Sequence, residues 1–122
     1  MPEYDLSAVV LRVKNRTIER KVRWFPLKDK DGNRTDNFAL DVDSFRFAVM
    51  QNDVMGGNPM YTFIMIDRDS KETILSETVR HYGAGRSDKN YTMISDLYEV
   101  AKRSGLDIDV KVAKVMEALD KL

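Results

Sequence analysis

The run Met60-Tyr-Thr-Phe-Ile-Met-Ile-Asp67 constrains this chain more than any other stretch. In an extended conformation Tyr61, Phe63 and Met65 share one face, and Thr62, Ile64 and Ile66 share the other. Such β-branched and aromatic residues suit a pleated surface. A strand with little polar surface on either side belongs in the centre of a sheet. A polar turn over residues 68–71 and a second strand over 72–80 follow, which predicts a hairpin.

Around that hairpin the chain reads as one domain. Its 122 residues fall within the usual single-domain range. A chain of this size buries roughly two-thirds of its unfolded surface, so it needs no metal or disulfide staple. There are no cysteines, which excludes disulfides, thiolate nucleophiles and cysteine-based metal sites. No apolar run reaches the ~20 residues that span a bilayer. The first residues, Met-Pro-Glu-Tyr-Asp, are acidic and polar, unlike a signal peptide. The expectation is a cytoplasmic protein.

Formal charge balances, with 20 basic and 20 acidic residues. A near-neutral chain has no long-range pull on nucleic acid or anionic lipid, so neither a membrane nor nucleic acid is expected as a partner. Basic residues nevertheless cluster over 12–23 and acidic ones over 36–53. The simplest expectation is two faces that complement each other within the fold or across a dimer. The basic stretch ends beside Trp24 and Phe25, an arrangement that could serve nucleic-acid stacking. The balanced charge favours a solvated face or a partner-binding edge instead.

The first 27 residues are ambiguous. Ala8 to Val13 reads as a strand, 14–17 as a turn, and 18–27 as an alternating second strand. A helix starting after Asp5 competes, because Leu6, Val9, Val10 and Val13 also fit a helical period. β-Branched content favours the hairpin. Residues 29–36 form a polar turn around Asp31-Gly32. Asp29, Asp31 and Asn33 imitate the start of a calcium loop, but Arg34 and Leu40 stand where that loop needs Gly and Glu. Residues 37–50 alternate as two short strands or one bent strand, with a helix capped by Asp43 as the competing reading. Residues 55–59, Met-Gly-Gly-Asn-Pro, break the chain before Met60.

Two helices close the sequence. Ile94, Leu97, Tyr98 and Ala101 mark an amphipathic helix over 92–104. Gly105 is expected to end it in a left-handed conformation, with Leu106 as the accompanying apolar contact. Asp107 should cap the next helix, whose stripe is Val112, Val115, Met116, Leu119 and Leu122. A DNA-reading corner is disfavoured, since Asp107 and Asp109 at its start would repel phosphate. The expected fold is α+β: an antiparallel sheet of about four to six strands, then two helices packed on one face.

The loop after the hairpin is the candidate site. It brings together His81, Tyr82, Gly83, Gly85 and Arg86, with Tyr91 close behind. The glycines permit close backbone approach. Arg86 could hold a phosphate or carboxylate bidentately, and the tyrosines could stack on a ring. The Gly-x-Gly lacks the third glycine of a dinucleotide site, and no P-loop ending follows. His81 is the sole imidazole, and no nucleophile elbow or metal-ligand spacing accompanies it. The readings in order are a small non-enzymatic interaction domain working as a homo-oligomer, a binder of a small anionic ligand such as a nucleotide, and an enzyme using His81 as general acid or base. No catalytic residue, metal or cofactor is assigned.

Overall fold

A computed structural model describes residues 5–54 and 57–122. The acidic start, residues 1–4, and the Met-Gly of the expected break, residues 55–56, lie outside them. Helix α1 (Leu6–Ile18) is followed by strands β1 (Phe25–Lys28), β2 (Arg34–Val42), β3 (Phe45–Asn52), β4 (Met60–Asp67) and β5 (Thr73–Val79). A small hairpin follows, β6 (His81–Gly83) and β7 (Arg86–Ser87), and then α2 (Tyr91–Gly105) and α3 (Ile108–Asp120). The five main strands form one antiparallel meander in chain order, followed by the two C-terminal helices. Among the described residues no helix is long and apolar enough to cross a membrane.

The expected hairpin at the start is wrong: residues 6–18 are helix α1 and only Phe25–Lys28 is strand. Local chemistry explains the outcome. The Asp5 carboxylate accepts from the Ser7 N–H at 3.0 Å, satisfying one of the orphan donors of the first turn. Val10, Val13 and Thr17 then fall on one buried stripe. The helix ends with Arg20 at φ 62°, Lys21 N–H donating to Arg16 and Arg20 N–H donating to Thr17. This is a Schellman ending with arginine where glycine is usual, so the stop signal is hard to read in sequence. Trp24 fastens the segment that follows. Its indole N–H donates to Thr17 Oγ1 at 2.9 Å, Thr17 donates on to the Val13 carbonyl, and its backbone N–H donates to Ser104 Oγ.

The meander follows from turn chemistry and alternation. Asp29 accepts from the backbones of Asp31 and Asn33 through one carboxylate oxygen, an Asx-type turn closed by Gly32 at φ 83°. Residues 37–50 form the hairpin of β2 and β3, joined at Asp43 with φ 56°. Strand β4 pairs with β3 on one side and β5 on the other, so it is interior, although β3 is the middle strand. Phe38, Leu40, Val49, Tyr61, Phe63 and Val79 join Val10, Trp24, Ile94, Leu97 and Tyr98 in the core. On the opposite face Ala39 and Ala48 are buried although that face carries no helix among the described residues. Arg46 binds Asp41 through two bonds of 2.6 and 2.9 Å and lies 5.4 Å from the Phe25 ring centroid, stretching a cation over the small residues. The Arg46 pairing holds the Asp41 carboxyl below its ordinary range.

Among the described residues the basic and acidic stretches do not pair with each other. Glu19 takes Arg16 and Lys21, Asp107 and Asp109 take Arg23, Arg20 and Arg103, and Asp41 takes Arg46 and Arg68. Gly105 is also corrected. It is the last residue of α2 and is not left-handed; the positive φ falls on Asp107, at 54°. A Cβ at Gly105 would sit 2.5 Å from the ring of buried Phe38. Glycine is needed there for close packing. Asp107 occupies the cap position of α3 but makes no side-chain cap bond, because its carboxylate binds Arg23.

Candidate functional site

The residues singled out in sequence do meet, as a tight hairpin standing beside the start of α2. Ala84 and Gly85, at φ 52° and 75°, form the two-residue turn between β6 and β7. Two consecutive positive φ values match the turn whose twist suits a hairpin. Asp88 closes the base: it accepts from the Arg80 N–H at 2.9 Å and from the Tyr82 hydroxyl at 2.9 Å, while its own N–H donates to the Arg80 carbonyl. That bond from Tyr82 to Asp88 raises the phenol's pKa. The Gly83 N–H donates to His81 Nδ1 at 2.9 Å, which leaves the proton of the neutral ring on Nε2. The Asn58 amide lies 2.9 Å from the same nitrogen.

Tyr91 completes the support. Its hydroxyl donates to the Pro59 carbonyl at 2.9 Å, and its ring meets His81 and Tyr61 edge-on, with centroids 5.3 and 5.6 Å away. Burial pushes its pKa up. His81 and Tyr91 therefore hold each other, Asn58 and backbone, while the exposed Tyr82 spends its hydroxyl on Asp88. Arg86 is exposed and makes no side-chain hydrogen bond or ion pair among the described residues. The two best-formed cavities are lined by other residues. Asn58 and Asp88, which hold the hairpin, were not singled out in sequence; nothing in a lone Asn or Asp marks it as the tie of a distant turn.

One of those cavities, about 460 Å³, lies where the ends of α1 and α2 meet the start of α3. Ile18, Val22 and Val110 give it apolar walls, and Arg20, Arg23 and Arg103 rim it. Those arginines face Asp107 and Asp109: Arg103 is 2.7 Å and Arg20 3.8 Å from Asp109. The cleft thus works as a polar clasp on the first turn of α3. Exposed pairs of this kind contribute little stability each. Among the described residues no three His, Asp or Glu side chains gather as a metal site.

Beyond that clasp α3 stands clear of the body. It has no buried residue. Val112, Val115, Met116 and Leu119 are 50–56% exposed, and Leu122 fully so. Ile108, Val112, Val115, Leu119 and Leu122 recur at spacings of four, three, four and three, with Met116 beside them. The stripe from Val112 to Leu122 was legible in sequence; its exposure was not. In contrast, Ile94, Leu97, Tyr98 and Ala101 of α2 are all fully buried. Contiguous apolar surface left exposed is a common feature of docking sites and of aggregation-prone faces. Compared with known proteins, the chain matches no family model, no curated protein and no solved structure.

Proposed function

We propose that this protein is a small non-enzymatic interaction domain that docks through α3, an accessory or regulatory component. The sheet with α1 and α2 is the scaffold, and α3 is the element it presents. What supports this reading is a single observation: a 13-residue helix whose apolar stripe is exposed from Val112 onward, beside a helix of similar length whose stripe is fully buried. A helix this short is marginal alone in water, and tertiary packing normally stabilises such helices. Here that packing has to come from outside the described fold. The polar clasp at Asp107 and Asp109 sets the direction in which α3 leaves the body.

The double variant Val115→Glu, Leu119→Glu tests this reading. Thermal unfolding of dilute protein should give the wild-type Tm within a degree or two, because surface substitutions away from packed features change stability by ~0.5 kcal/mol or less. A drop of many degrees would mean that the stripe packs on its own body, and the docking reading would fall.

A further inference from the structure

Resting on the reading of α3 as the docking element, we infer that its partner is a second copy of this chain, aligned parallel along the seam Ile108, Val112, Val115, Leu119 and Leu122. Spacing is the first argument. The α2 stripe runs Ile94, Leu97, Tyr98, Ala101, a broad face of the kind that lies on a sheet. The α3 seam alternates four and three without a break, the 3.5-residue period at which two helices keep meeting along a narrow line. Helices from the same chain carry the two patterns, and only the broad one is used inside the fold.

Charge chooses the occupant and its direction. At 3.6 residues per turn, Lys111, Lys114 and Lys121 fall on one side of the seam and Asp109 and Asp120 on the other. Two copies related by a two-fold axis along a parallel pair bring the basic side of each against the acidic side of its mate. An antiparallel pair sets lysine side against lysine side, where like charges repel. Lys111, about 60° from the seam, is the lysine nearest the mate, and the acid at its height on the mate's facing flank is Asp109, which Arg103 and Arg20 also approach. A helix basic on one flank and acidic on the other is complementary to itself. Length sets the strength. Thirteen residues extend only about 20 Å, well short of an interface with ~800 Å² on each side, so the dimer should form and dissociate with concentration.

The absence of native cysteine makes the test clean. Val112→Cys and Leu119→Cys are prepared separately and oxidised mildly, with Glu117→Cys, on the far side of the helix, as control. In the parallel pair each seam residue meets its own counterpart within disulfide reach, so both variants should cross-link at least about tenfold faster than the control, as expected for thiols held at high effective concentration. Sedimentation from about 10 to about 500 μM should show a concentration-dependent dimer, lost in Val115→Glu, Leu119→Glu. Two results would overturn the inference. One is a monomer throughout that range. The other is a dimer in which Val112→Cys cross-links only to a copy carrying Val115→Cys, the mark of an antiparallel pair. Either result with an unchanged Tm for the double variant removes the parallel second copy and spares the docking reading; a collapsed Tm removes the docking reading itself.

Discussion

Helices α2 and α3 are neighbours in sequence, are close in length at 15 and 13 residues, and both carry an apolar stripe. One stripe is fully buried and the other is half exposed or more from Val112 onward. The difference lies in what each meets. The approach of α2 to the sheet is close because Gly105 and Ala101 present little side chain, with Gly105 lying directly on Phe38. Tyr98 then reaches through the interface to donate to the Asp36 carbonyl at 2.7 Å. By the time the chain turns at Asp107, the face of the sheet that α2 covers is taken, and α3 meets the body at its first turn, through arginine–aspartate pairs and a cleft that Val110 shares with Ile18 and Val22. Amphipathicity is a property of a helix; burial is a property of what lies beside it.

That contrast can be broken by the same substitution on each helix. Leu97→Ala in α2 should cost ~2–5 kcal/mol, because it removes a fully buried side chain from a core that can collapse only partly. Chemical denaturation checks it, and a loss under ~1 kcal/mol would place α2 outside the cooperative core.

The joint of α2 with the sheet gives the next largest effect. Gly105→Ala should cost ~1–3 kcal/mol, since the added Cβ overlaps the Phe38 ring and that ring is fully enclosed. The substitution also sharpens the correction made to this glycine. If Gly105→Ala were neutral or stabilising, as alanine is in an unobstructed helix, the close approach would be absent.

Tyr98→Phe should cost about 1 kcal/mol, the net worth of one hydrogen bond. The same hydroxyl predicts a pH dependence. Burial pushes its pKa up to about 12, against about 10 for an unfolded tyrosine. The folded state therefore keeps a proton that the unfolded chain releases. This contribution is fully present below about pH 10 and is lost as pH rises through about 12. Stability measured at rising alkaline pH should fall less steeply in Tyr98→Phe than in wild type, and equal slopes would show that Tyr98 is not the group responsible.

Smallest of all should be Leu119→Ala in α3. In dilute protein it should change stability by no more than ~0.5 kcal/mol, the surface range, although it is the same deletion as Leu97→Ala. A cost of ~2 kcal/mol or more would erase the distinction between the two helices.

The sheet was legible because each strand carries its own signal. Alternation through β2 and β3, the double-faced run of β4 and the Asp31-Gly32 turn all act over a few residues. At the chain's start α1 was misread because β-branched content outweighed the helical period of Leu6, Val9, Val10 and Val13, and because arginine stands where a helix stop is usually glycine. The hairpin residues His81, Tyr82 and Tyr91 were recognised as a group, but their ties to Asn58, Asp88 and Pro59 needed the folded chain.

By itself the sequence determined that this is an α+β chain with a strand at Met60–Asp67 flanked on both sides, two C-terminal amphipathic helices, and no disulfide or thiolate chemistry. Those properties follow from periodicity, turn residues and composition, each readable within a short window. Only the tertiary structure decided which stripe is core and which is surface, why residue 105 must be glycine, and which carboxylate each arginine takes. Such outcomes depend on which surfaces are already occupied when an element docks, and no local pattern carries that information.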